Sequence, residues 1–236
     1  MFVRGRWWIG VKAMLVALAV AACSVTPVPE PPNLDPPDLS KVAFGTSSSG
    51  ALDLFGSAGA LPTGARLWIV NLDRVDPPLE IAAGEDGSFT VNVPAMFGDE
   101  LRLQAREGDR RSEPVDIEAP SAARVVRPLG DCLAVSPQHE VDFGQAAIGE
   151  PVEATLRIAN ACGATVEIAS ISLRAPQPAF VIGTATPASV VEGASLDIAL
   201  TFRPERTGLT EEIVLVEVVG PEATRLPVTL WGTTPD

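Results

Sequence analysis

The chain has 236 residues, a net charge of −13, three cysteines, one histidine and no tyrosine. Such acidity argues against a nucleic-acid partner and against holding anionic lipid by charge. One histidine and the two cysteines beyond Cys23, which favour pairing with each other, leave no set of ligands for zinc. At the N-terminus Arg4, Arg6 and Lys12 precede a short uncharged apolar run, 13–22, which ends in Val20-Ala21-Ala22-Cys23. A bilayer-spanning helix needs about twenty apolar residues, so this run is short for one. Its form is that of an export leader, to be set aside from fold reasoning. Counting back to Trp7 keeps an uncleaved N-terminal helix open, and an ordinary secretory signal with a chance cysteine is the other alternative.

The small residues leading into Cys23 resemble the lipobox of bacterial lipoprotein signal peptides. The resemblance implies cleavage before Cys23, acylation of that residue and a lipid-held protein. Several acyl chains, at about 0.8 kcal/mol per buried CH2, make such attachment stable where a single myristoyl does not. Ser24 after the cysteine resembles the outer-membrane sorting class, with the folded part facing periplasm or cell surface. Removing residues 1–22 takes three basic residues and no acid, so the net charge goes from −13 to −16. High net charge serves solubility. The remaining 214 residues allow two small domains with a core each.

Residues 24–40 hold six prolines and no apolar period. Proline fixes φ and removes a donor, which excludes helix and central strand. In extended polyproline geometry, at about 3.1 Å per residue, the segment is a tether of roughly 50 Å. A PxxP ligand for an aromatic groove is the rival reading.

From 41 to 118 the dominant period is two. Phe89, Val91 and Val93 share one face; Leu101, Leu103 and Ala105 share another, with Arg102, Gln104 and Arg106 opposite. This alternation predicts an antiparallel sheet with one wet face. The run 66–72 is more fully apolar and reads as a central strand. Turns at 61–64, 76–78, 85–88 and 107–109 divide six or seven strands into a small β-sandwich. The stretches 56–71, 85–94 and 98–107 resemble bacterial Ig-like or carboxypeptidase-regulatory-like β-domains. Asp73, Asp76, Glu85 and Asp86 lack the one-three-five spacing of a calcium loop and read as solvated loop acids.

Residues 119–131 carry Pro120, Pro128 and Gly130 and read as a linker. From 132 to 236 alternation returns: Val152, Ala154, Leu156 and Ile158; then Leu196, Ile198, Leu200 and Phe202. The run 211–219 is nearly continuously apolar and predicts a strand buried on both faces. Parity slips between Val166/Ile168 and Ile171/Leu173, which predicts a β-bulge. Val141-Asp142-Phe143-Gly144, Gly149, Asn160, Phe180, Phe202-Arg203-Pro204, Gly208 and the segment from Pro227 to Gly232 follow one order. They resemble the choice-of-anchor D modules of bacterial surface proteins, related to ASH/HYDIN-type and major sperm protein domains. The resemblance implies an Ig-like sandwich of seven to nine strands, serving as a scaffold or protein-contact unit and not as an enzyme. Cys162 and Trp231 depart from that pattern. Asn160 suits a role of bonding backbone at a strand end. Trp231 is either a contact surface or core packing.

The expected architecture is therefore all-β: two Ig-like antiparallel sandwiches in tandem, behind a leader (1–22) and a lipidated, proline-rich linker (23–40). In an oxidising compartment Cys132 and Cys162 favour pairing, a loop of about 30 residues worth about 3–4 kcal/mol. Two free thiols or an intermolecular bridge are the alternatives. His139 is the sole candidate for Ser-His-Asp or Cys-His chemistry, and its setting reads as a surface strand-entry turn. No phosphate-binding or dinucleotide loop is present, and two small sandwiches offer little room for a cleft. No cofactor, metal, catalytic residue or small-molecule substrate is expected. The expected role is a lipid-anchored structural or interaction module with envelope-protein partners. The alternative is a surface adhesive or carbohydrate-binding lipoprotein using Trp68, Trp231 and Phe97 as an aromatic platform.

Overall fold

The structure is a computed structural model that describes residues 33–45, 51–183, 186–219 and 222–236. Cys23, the leader and the first part of the tether lie outside the described residues. No helix among the described residues is long and apolar enough to cross a membrane.

Period-two patterning from Val42 onward becomes nine strands among the described residues of the first module. They are β1 (Val42–Gly45), β2 (Leu52–Gly56), β3 (Arg66–Asn71), β4 (Leu79–Ala82), β5 (Phe89–Val93), β6 (Glu100–Glu107), β7 (Arg110–Arg111), β8 (Val115–Glu118) and β9 (Ala123–Arg124). One sheet runs β1-β2-β5 and the other β4-β3-β6-β8-β9, with β7 on β6; every pairing is antiparallel. Leu54, Leu67, Ile69, Leu101, Leu103 and Ile117 fill the space between them. Gly87, at φ +78°, turns the chain into β5 where an added Cβ would lie 2.1 Å from the Leu61 carbonyl oxygen. Only glycine fits that approach.

Strand pairing carries the first module through Arg124, into the segment read as linker. The described end of the tether is also part of this module. Asn33 and Leu34 donate to the Arg111 carbonyl, Asp38 donates to the Ala60 carbonyl, and Pro37 is buried. Residues 33–40 are thus bonded down along the module, not free polyproline. Backbone groups that find partners stop being spacer.

The second module comprises β10 (Leu133–Ser136), β11 (Glu140–Gln145), β12 (Val152–Asn160), β13 (Val166–Leu173), β14 (Phe180–Ile182), β15 (Ala188–Val190), β16 (Ser195–Phe202), β17 (Gly208–Val219) and β18 (Thr224–Thr234). Its sheets run β10-β12-β16-β14 and β11-β18-β17-β13-β15. The first segment is split: β10 lies antiparallel to β12, while β11 crosses over and runs parallel to β18. The core holds Phe143, Phe180 and Phe202 with ring centroids 5.1–5.7 Å apart. Gly232 is obligatory beside them, since a Cβ there would stand 2.4 Å from a Phe202 ring carbon. The parity slip in β13 is a register shift between Ile168 and Ser170.

Asn160 is buried at the end of β12. Its amide donates to the Ala164 and Val190 carbonyls at 2.8 and 2.7 Å, and its side-chain oxygen accepts from the Cys162 amide. Cys132 and Cys162 form a disulfide with Cα atoms 4.7 Å apart, tying the entry of β10 to the turn after β12. Both modules are Ig-like β-sandwiches, and the chain is all-β among the described residues.

Candidate functional site

The two sandwiches meet along a seam made from faces that alternation alone would assign to solvent. On β3, Leu67 and Ile69 enter the first core, while Trp68 and Val70 point out of it. With Leu72 they pack against Ile213 and Leu215 of β17, all five nearly inaccessible. β17 does the same in reverse, since Val214, Val216 and Val218 enter the second core. This double burial is why 66–72 and 211–219 carry apolar residues on both faces.

On β6 the expected wet face is corrected by the structure. Arg102, Gln104 and Arg106 are buried, because the β17–β18 sheet covers them. Arg102 makes a bidentate pair with Asp116 at 2.8 and 3.0 Å, and also donates to the Pro227 carbonyl of β18 at 2.9 Å. Arg127, from the connecting segment, bonds Asp116, Glu100 and the Arg225 carbonyl. Arg225 closes the group on Asp73 and Glu100, both at 2.9 Å.

A second group centres on Glu211. It takes Arg106 at 2.9 Å and Arg111 at 2.7 Å, and the two guanidiniums stack over Trp68 and Trp231 at 3.9 and 4.4 Å from the ring centroids. Gln104 bridges from here to Glu140 of β11. A third group has Arg174 between Glu212 and the carbonyls of Arg74 and Asp76. Desolvating charges is costly, and it is offset only where most lone pairs and protons are taken up; these three groups come close to that.

The titration shifts agree with a sealed, ionised interface. Burial would raise the Asp116 carboxyl, but Arg102 and Arg127 outweigh it and bring it from 3.8 to about 2. Burial opposes the charge on Glu211 too, and Arg106 with Arg111 again win and lower it. Burial lowers the Arg106 guanidinium more than Glu211 supports it. The opposite pulls within this pair do not discharge it, because arginine holds its proton far above neutrality. Burial likewise works against Arg225, and Asp73 with Glu100 raise it on balance.

Beside the seam lies a cleft of about 650 Å³, larger than two small sandwiches led us to expect. Residues 124–128 form one wall, 133–135 the other, and Leu226, Pro227 and Val228 the floor. His139 sits half-buried here and not on the open surface, its carbonyl accepting from the Thr229 amide. Burial first, and Arg102 second, hold its imidazole below the usual histidine range, against the pull of Glu113, Asp116 and Glu140.

The aromatic residues do not form a platform. Trp68 is buried in the seam and Trp231 is half-buried beneath Arg111; Phe97 is exposed on a loop of the first module. Among the described residues no three His, Cys, Asp or Glu side chains converge as metal ligands. Asp73 and Asp76 belong to the seam through Arg225 and Arg174, while Asp86 bonds the Ser88 amide within its own turn.

No family model and no curated protein matches the chain. Solved structures with a similar fold include the ASH/PapD-like domain 7 of human CEP192, at 18% identity over 49% of this chain and 96% of that one, with a TM-score of 0.39. A protein of unknown function from Porphyromonas gingivalis W83 has 12% identity over 82% and 96% of the two chains, with a TM-score of 0.38. SSP-19, an MSP-domain protein of Caenorhabditis elegans, has 13% identity over 43% and 99%, with a TM-score of 0.34. At these values the likenesses concern fold and carry nothing about activity.

Proposed function

We propose that the chain is a non-catalytic, lipid-anchored cell-envelope protein that acts as a structural or protein-interaction module. The seam carries this reading: two sandwiches joined by buried ion pairs and a shared apolar patch form one stiff body suited to presenting a surface at a fixed place. The lipobox-like residues before Cys23 support the anchor, and Ser24 supports the outer membrane. The C-terminal module fits a choice-of-anchor D/ASH-like domain. Phe143, Phe180, Phe202 and Gly232, four of the residues behind that resemblance, pack together in its core. The adhesive, carbohydrate-binding alternative loses support, because Trp68 and Trp231 are committed to the seam.

Two experiments on cells test the proposal. Cys23→Ser is expected to abolish detergent-phase partition and leave the precursor mass; unchanged partition and mass would remove the lipid anchor. Photo-crosslinkers on exposed strand edges are expected to trap defined envelope proteins. Binding on a glycan array without any protein crosslink would favour the adhesive alternative.

A further inference from the structure

The cleft is flanked by free strand edges. β9 is the outer strand of one sheet and β10 the outer strand of another. The Cys132 carbonyl accepts from Ala161, so even-numbered residues of β10 face β12. Leu133 accordingly sends its amide the other way, to the Leu129 carbonyl. By antiparallel alternation the N–H and C=O of Val135, which lines the cleft, also point away from β12. On the opposite wall the Val125 amide is bonded to the Asp116 carbonyl. Val126 beyond it is 85% exposed, and its backbone has no backbone partner among the described residues. An edge of this kind is a template for one more strand.

The cleft lining holds Arg102, Arg124 and Arg127 together with Asp116 and Asp131. Arg102 and Arg127 are spent on Asp116 and Glu100. Arg124, like Asp131, is exposed and has no ion pair among the described residues, so it is the lining cation left to meet an incoming carboxylate. A volume of about 650 Å³ at a domain junction is within the usual range for a binding site.

We infer that this cleft is a docking groove for an extended, acid-bearing peptide segment of another protein. The segment adds to the free edge of β10 at Val135 and sets a carboxylate against Arg124. This deepens the interaction role proposed above and rests on it.

His139 is the only histidine, so its imidazole gives a single magnetic-resonance signal from inside the cleft. The test titrates the full chain in detergent with two capped pentapeptides. Each alternates valine and threonine around a central residue, aspartate in one and lysine in the other. The expected result is a saturable shift of the His139 signal with the aspartate peptide, at least tenfold tighter than with the lysine peptide. Arg124→Glu, an exposed change, is expected to reverse the preference. Val135→Pro is expected to lose both peptides, since its N–H serves no native ladder bond. No shift at millimolar peptide, or a preference unmoved by Arg124→Glu, overturns the groove. If protein crosslinks in cells persist alongside a silent titration, the groove fails and the interaction role stands. If the crosslinks are absent as well, the role itself fails.

Discussion

β6 and β16 carry the same pattern and meet opposite fates. Each alternates apolar residues toward a core with polar residues away from it, and each outward face joins a bidentate arginine–aspartate pair. Arg157–Asp197, between β12 and β16, stands in water with both side chains more than half exposed (58% and 52%). Arg102–Asp116, between β6 and β8, is sealed by β18, with 3% and 12% left exposed. Alternation therefore assigns faces but does not say what covers the polar one. Exposed pairs contribute little to stability, whereas breaking a sealed pair strands a buried charge.

The comparison can be broken most sharply at Arg102. Arg102→Ala is expected to cost about 3–5 kcal/mol, because Asp116 and the Pro227 carbonyl lose their main partner. Urea unfolding measures it, and a cost within error would mean that β18 does not seal this face. Replacing both Cys132 and Cys162 by alanine is expected to cost about 3–4 kcal/mol on the chain-entropy argument. If the seam makes one cooperative unit, that loss lowers a single transition; a separate early transition of the second module would show weak coupling.

Acid supplies the next test. Asp116 titrates near 3.8 when unfolded and at about 2 when folded, so its stabilisation, about 2 kcal/mol, is complete above pH 4. It is lost as pH falls from 4 through 2, and Asp116→Asn should flatten that part of the stability curve. His139 gives a smaller effect of the same direction. Its folded pKa lies below 6.5, so the unfolded chain binds the proton first and stability declines as pH drops below 6.5. His139→Gln should remove that slope. The smallest effect is expected at Arg157→Ala, whose urea midpoint should match the parent.

Much of the fold was legible because its causes are local. Asn160 reaches Cys162 two residues away and Ala164 four away, so its place at a strand end shows in sequence. The β13 bulge shows as a parity slip, the run 66–72 reads as a central strand and 211–219 as a strand buried on both faces. The seam was not legible, because its bonds span about a hundred residues: Arg102 to Thr229, Arg106 to Glu211, Arg174 to Asp76. A signal was nevertheless present. Trp68 and Val70 on β3, and Ile213 and Leu215 on β17, put apolar side chains on faces a lone sandwich would leave wet. Two such faces in one chain are the mark of a partner, and here each partners the other. The cleft was hidden for a related reason: residues 124–128 read as linker become a wall only once β18 lies beneath them.

The seam fixes the two sandwiches as one body. The most direct measurement is electron–electron distance between spin labels at the exposed positions Thr90 on β5 and Glu153 on β12, in a Cys23→Ser background with the disulfide intact. One narrow distance distribution is expected, broadened by Glu211→Ala, in which Arg106 and Arg111 lose their shared partner. A broad distribution in the parent chain would contradict it.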